Sequence, residues 1–189
     1  MSTAVLHSDP RTTPSRRARR AERRRLKRLD AVAARLAELH TIHRLLLDAA
    51  AQVEHGWVQG AWFTVQDGGG TRAVTAYDIG LAIERPVSAV CLVGAVVEAA
   101  GGPTVVRSQV VQRTLDLTWH ALREDPARPV RWCPGPRVRA MNVLELTYWN
   151  DTPGRRADEV SGLLRSAAEC ADRQTALTRA EQEALTSAG

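Results

Sequence analysis

A stripe of apolar residues constrains the fold of this chain more than any other feature. Between residues 29 and 53, apolar side chains and one histidine recur at alternating spacings of three and four. That period places them on one face of an α-helix, which must bury this face. The stripe consists of Leu29, Val32, Leu36, Leu39, His43, Leu46, Ala50 and Val53. With Ser15 as N-cap and Gly56 as a stop, the sequence predicts a helix from about residue 15 to residue 54.

The segments after Gly56 indicate further helices and one β-hairpin. Residues 62–65 and 73–77 are β-prone and flank the glycine-rich turn at 67–70, which predicts a hairpin. Ser88 is the expected cap of a buried apolar helix over 90–100, and a second helix is expected over 105–124. Asp151 or Thr152 before Pro153 predicts the start of the last core helix. Thr178 with Glu181 predicts a short separate helix at the end.

The structure of two other segments is indicated by proline content in one case and by a mixed apolar pattern in the other. Four prolines between residues 125 and 137 predict a long loop that carries several arginines. Residues 141–149 fit either a short helix or a strand.

Length and composition favour a single domain. The chain has 189 residues, of which 44% are apolar, enough for one buried core plus an extension. We therefore expect a mainly α-helical domain over 29–172. A disordered start and a basic helical arm precede it (1–28), and a short helix or tail follows it (173–189).

The positive charge is concentrated in that arm. Residues 1–28 hold ten lysines and arginines against two acids, whereas residues 29–189 hold 16 against 19. The charges expected to contact a partner are Arg16, Arg17, Arg19, Arg20, Arg23, Arg24, Arg25, Lys27 and Arg28. Such density cannot form a core and needs counter-ions.

Phosphate-rich partners match this arm best. Arginine binds phosphate bidentately, so nucleic acid or another polyanion is the expected partner, the alternative being a solvated tail or an acidic protein partner. No aromatic residue lies among these arginines, which argues against base stacking and sequence-specific readout. The arm has almost no apolar face and every apolar run is interrupted by charge, so no membrane is expected.

Cysteine and histidine usage points to a reduced compartment without a bound metal. Cys91, Cys133 and Cys170 are odd in number and widely spaced, which is typical of free thiols in a cytoplasm. His40, His43 and His55 do not have a zinc-binding spacing. We expect no metal and no cofactor.

Three short clusters carry the remaining candidate site residues. They are 56–60 (GWVQG), 91–95 (CLVGA) and 149–155 (WNDTPGR). Residues of this kind at the ends of elements serve some local purpose. The candidate pocket residues are Trp57, Gln59, Trp149, Asn150 and Arg155.

Catalysis is an alternative at Cys91 or Asp151. A thiol in the first turn of a helix becomes a nucleophile when a histidine, here His120, activates it, and Asp151 could act as acid or base. The competing interpretation is that Cys91 is a small core residue beside Gly94 and that Asp151 caps a helix. We favour this second, non-catalytic interpretation. A third hypothesis is self-association through the 29–53 helix.

Taken in order, the leucine-rich helix ending in GWVQG, the glycine-rich turn, CLVGA and WNDTPGR resemble a family of small actinobacterial proteins of unknown function. The resemblance covers about residues 40–170. It implies a compact, mainly helical domain with no assigned activity, and it leaves out the basic arm.

Overall fold

Two long helices, α1 (Arg16–His55) and α5 (Ala157–Ser187), lie side by side in the computed structural model, which describes residues 15–125 and 128–187. Ion pairs of Arg165 with Glu54 and of Arg35 with Glu181 show that the two helices run antiparallel. Most of the predicted apolar stripe, from Val32 to Val53, is buried. The α1 prediction is therefore confirmed.

Both ends of α1 follow the expected capping chemistry. The Ser15 hydroxyl accepts a hydrogen bond from the amide of Ala18 at 3.1 Å, and the Gly56 amide donates to the carbonyl of Gln52. A side chain at Gly56 would overlap the carbonyl oxygen of Ser88. Glycine at this position thus allows the next strand to approach the helix end.

A three-stranded antiparallel sheet packs beside the end of α1 and the start of α2. The predicted hairpin is confirmed as β1 (Phe63–Asp67) and β2 (Gly70–Val74), in the strand order β2-β1-β3. The third strand, β3 (Val87–Val90), was not predicted. Ser88 lies in this strand and donates to the Thr64 carbonyl at 3.0 Å, so its prediction as a helix cap is wrong. The reason is that residues 87–90 pair with β1 as a strand, so the helix begins only at Leu92.

Helix α2 (Leu92–Ala99) forms the centre of the core. Cys91 is its N-cap, and every residue from Leu92 to Val97 is buried, as expected. A Cβ atom at Gly94 would lie on the carbonyl oxygen of Trp62. The glycine therefore lets the start of β1 touch α2.

Helices α3 (Gln109–Arg123) and α4 (Pro136–Asn150) complete the core on either side of a long loop. Helix α3 is capped by Ser108 and begins four residues later than predicted, because residues 103–105 form a separate 3₁₀ turn. The ambiguous segment 141–149 belongs to α4. Pro136 occupies the first turn of α4, where its missing amide hydrogen costs nothing.

The last helix differs from its prediction at both ends. Asp151 closes α4 rather than opening α5, which begins at Ala157 after a turn. Glu159 supplies part of the cap by accepting from the Arg156 amide at 2.8 Å. Thr178 lies inside α5 and donates to the Gln174 carbonyl, so no separate short helix begins there.

Candidate functional site

The three sequence clusters meet at one buried asparagine. The Asn150 side chain is fully buried, and its Oδ1 accepts from the Trp57 indole at 2.9 Å and from the Leu92 amide at 3.1 Å. Its Nδ2 donates to the Val58 carbonyl at 3.2 Å and to Asp151 Oδ1 at 2.8 Å. All four hydrogen-bonding positions of the amide are therefore used. We call this network of residues 57–60, 91–92 and 150–152 the Asn150 hub.

Two further contacts fix the loop around the hub. Gln59 donates to the carbonyls of Asn150 and Thr152, and the Gly60 amide donates to Asp151 Oδ1 at 3.0 Å. The hub thus ties the end of α4 to the start of the sheet and to the first turn of α2. It also holds Asp151 in a defined position.

A cleft of about 600 Å³ opens beside the hub, between α4 and the segments that flank the hairpin. Helix α4 contributes one face of side chains along most of its length. Trp62 and Tyr77 contribute from the opposite side, and Tyr77 is fully exposed. This size is typical of small-molecule sites. The lining residues are Gly60, Ala61, Trp62, Thr75, Ala76, Tyr77, Gln112, Pro136, Arg139, Ala140, Val143, Leu144, Thr147 and Asp151.

Charged groups stand near the two ends of α4 in this cleft. Arg139 donates from Nε and Nη2 to both oxygens of Asp116, at 2.9 and 2.8 Å, and Asp116 is buried in α3. This bidentate pair raises the pKa of Arg139 and balances its charge. Asp151, twelve residues further along α4, forms no ion pair with any residue of 15–125 or 128–187.

Cys91 is placed as a core residue. The thiol is 1% exposed, and its Sγ accepts from the Gly94 amide at 3.4 Å. Burial raises the pKa of Cys91 to about 12, which opposes thiolate formation at neutral pH. Helix position alone, which suggested a reactive thiol, is outweighed by desolvation.

His120 lies in α3 and forms no hydrogen bond with Cys91. It is buried, its pKa is lowered by burial, and its Nε2 has no hydrogen-bond partner among the described residues. A nucleophile and base in contact, which a thiol enzyme requires, are not brought together here.

The five candidate pocket residues surround the hub and do not line the cleft. Trp57, Gln59 and Asn150 are hub members. Arg155 stacks on the Trp149 ring at 4.0 Å and donates to the Trp149 carbonyl and to Glu159. These contacts tie the group to its neighbours, and none of the five residues lines the cleft, although Gln59 is exposed.

The sequence did not identify Arg139 or Asp116 as site residues, nor the two aromatic residues that line the cleft, Trp62 and Tyr77. No sequence signal marked Asp116, because it is not on the predicted inward face of the helix over 105–124; the structure buries α3 on more than one side, and a buried acid requires a partner. The partner could not be identified, because Arg139 was assigned to the arginines of the proline-rich loop, whereas it lies in α4.

The basic arm is helical and projects beyond the body. Residues 16–24 are all exposed, and the first buried residue of α1 is Val32. Arg25 is the anchor: it donates to the Leu185 and Thr186 carbonyls at the end of α5 and pairs with Glu22. The hydrogen bond from Arg25 lowers the pKa of Glu22. Arg16, Arg19, Arg20 and Arg23 line one shallow concavity on the projecting turns.

Metal binding and membrane crossing are two further site classes to compare with the structure. Over 15–125 and 128–187, no three His, Cys, Asp or Glu side chains cluster in a way that could hold a metal ion. Within the same ranges, none of the helices has the length and apolar character needed to cross a membrane.

The fold and its hub therefore define a small, mainly helical protein with an apolar cleft and a basic extension. The model of a family described as "Family of unknown function (DUF6197)" matches residues 37–169, and the chain belongs to that family. The matched region contains the hub and the cleft but begins after the arm. Neither the curated proteins nor the solved structures contain a match to the chain.

Proposed function

We propose that this protein is a non-catalytic binding protein whose arm, residues 16–28, engages nucleic acid or another phosphate-rich polyanion with little sequence preference. The observation that carries the proposal is the projection of α1 past the end of α5. Six arginines within residues 16–24 lie on exposed turns beside a single acid, Glu22, which pairs with Arg25. Such a surface can neutralise the phosphates of a polyanion and release the cations condensed on them.

The spacing of the arginines suits a phosphate backbone. Arg16 and Arg23 are seven residues apart on one helix face, about 10 Å along the axis. This span corresponds to about three base steps of one DNA strand at about 3.4 Å each. Because residues 16–28 are already helical, the spacing of these arginines is set before binding, which reduces the ordering cost.

Little sequence preference is expected because the arm lacks the side chains that stack on bases or read adenine. Residues 16–28 contain no Trp, Tyr, Phe, Asn or Gln. Stacking and bidentate adenine contacts are therefore unavailable, and phosphate contacts carry most of the affinity.

The other hypotheses have less support. The stripe on α1 that could pair two chains is covered by α5 of the same chain, so we do not place a self-association surface there. A thiol enzyme is opposed by the burial of Cys91. A cytoplasmic location remains part of the proposal, and it rests on the three cysteines, which are all unpaired.

A salt titration tests the arm. We would replace Arg16, Arg19, Arg20 and Arg23 by Gln and measure binding to a short mixed-sequence duplex and to heparin by fluorescence anisotropy. For the duplex, the slope of log affinity against log salt should become less steep by about 3 to 4, because each phosphate contact contributes about 0.9.

The matched control replaces four arginines outside the arm: Arg44, Arg72, Arg107 and Arg137. This variant has the same net charge, so a purely global charge effect would weaken both proteins equally. An unchanged slope in the arm variant, or an equal loss in the control, would contradict the proposal.

A further inference from the structure

The cleft beside the Asn150 hub has a charge pattern that selects a class of ligand. Its middle is apolar, formed by Ala140, Val143 and Leu144 of α4 against the Trp62 and Tyr77 side. Leu144 is 42% exposed and Tyr77 fully exposed. Exposed apolar side chains that line a concave surface are typical of ligand or partner sites.

The two charged residues in the lining are not equivalent. Arg139 is already neutralised by buried Asp116 through two hydrogen bonds. Asp151 has no cationic partner among the described residues, and only its Oδ1 is used, by Gly60 and Asn150. The uncompensated charge of the cleft is therefore the negative charge of Asp151.

The position of Asp151 is fixed in advance. It follows the last residue of α4, and two donors of the hub hold its Oδ1. The second oxygen, Oδ2, accepts no hydrogen bond from the described residues. A carboxylate held in this way can accept from a ligand without losing side-chain freedom on binding.

We propose that the cleft binds a small hydrophobic amine. The apolar or aromatic body of the ligand would lie between α4 and Trp62, and its protonated nitrogen would donate to Asp151. Arg139 Nη1, which has no hydrogen bond to the described residues, can donate to an acceptor group at the other end of a longer ligand.

The test uses three probes of equal size and different charge. They are 2-(1-naphthyl)ethylamine, the corresponding alcohol and the corresponding carboxylic acid, each titrated at neutral pH into the full chain by protein-observed NMR. The amine should bind most tightly and the acid most weakly. The amine should exceed the alcohol by about tenfold, the size of one charge-assisted hydrogen bond in a partly buried site.

Two variants separate charge from shape. Asp151→Asn keeps an oxygen for the Gly60 and Asn150 donors but removes the charge, so the preference for the amine should disappear. Ala140→Phe fills the cleft from an exposed position of α4, so all three probes should lose binding. Asp48→Asn, on an exposed position of α1, is the charge-matched control and should bind as the unmodified chain does.

Several results would overturn the proposal: equal binding of the three probes, a preference for the acid, an amine preference that survives in Asp151→Asn, or no binding of any probe. If no probe binds, a macromolecular partner would be the remaining candidate occupant of the cleft. None of these results affects the arm, since the four-arginine variant should retain amine binding and Asp151→Asn should retain polyanion binding.

Discussion

The arm and the Asn150 hub use the same backbone element, the helix, in opposite ways. The arm is a helix with exposed charge on every side and almost no packing. The hub joins a helix end to its neighbours through buried hydrogen bonds, and Asp151 is its one charged residue. Changes in the hub should therefore alter stability, and changes in the arm should alter binding. The difference separates residues that hold the molecule together from residues that remain available to a partner.

The largest expected effect on stability comes from Asn150→Ala. This change leaves the Trp57 indole, the Leu92 amide and the Val58 carbonyl without their partner. Each buried group left unpaired costs about 1 to 3 kcal/mol, and relaxation of the loop recovers part of the sum. We expect a loss of about 3 kcal/mol in the free energy of unfolding, measured by urea denaturation.

Asn142→Ala is the matched control for this variant, because Asn142 lies on the same helix and its side chain forms no hydrogen bond with the described residues. It should change stability by less than about 0.5 kcal/mol. Equal losses in the two variants would mean that the hub is not a stabilising network.

A smaller, pH-dependent effect is expected from Cys91. In the folded chain burial raises the pKa of this thiol to about 12, from an ordinary value of 9.0. Between these values the folded state binds more protons than the unfolded state. The contribution of the Cys91 thiol to the free energy of unfolding is therefore complete below pH 9. Above pH 9 it falls, by at most about 1.4 kcal/mol per pH unit.

Urea denaturation at pH 8 and pH 10 measures this slope. In Cys91→Ala the alkaline loss should shrink, whereas in Cys133→Ala, which removes a less buried thiol, it should persist. A Cys91 that reacts with iodoacetamide at pH 8 as fast as the unfolded chain would show that the thiol is accessible and that its burial is not maintained in solution.

The smallest effect on stability should follow removal of residues 1–24. The described part of this segment, residues 15–24, is exposed, and Arg25 with its contacts to the end of α5 is retained. We expect the midpoint of urea unfolding to shift by less than the equivalent of about 0.5 kcal/mol. A large shift would mean that the arm packs against the body and is not a separate binding surface.

The parts of the fold that were predictable are those in which local pattern and burial agree. In α1 the three and four spacing coincides with the buried face, and in the hairpin the glycine turn coincides with the change of strand direction. Helix α4 was ambiguous because it carries apolar residues on more than one side: Leu146 is buried, whereas Met141 and Tyr148 are exposed. Some apolar residues of α4 that line the cleft, such as Leu144, are exposed. They add to the apolar positions outside the buried face, so the helical period is hard to recognise in the sequence.

For the candidate site, the sequence predicted some of the residues but not that they lie together. The sequence indicated that Trp57, Gln59, Asn150 and Asp151 serve a local purpose, but their meeting depends on contacts over about ninety residues of chain, which no local pattern encodes. Asp151 was assigned to the wrong helix end because Asn, Asp, Thr and Pro are typical both of helix starts and of turns.

Because α1 runs unbroken from the arginines to the hub, the middle of the arm lies about 50 Å from the hub along the helix axis, at 1.5 Å of rise per residue. Electrostatic interaction in 0.1 M salt decays over about 10 Å, so a polyanion held at the middle of the arm cannot be sensed at the hub through charge. The arm and the cleft share no residues, so the protein could hold a long polyanion and a small ligand at once without the two competing for the same side chains.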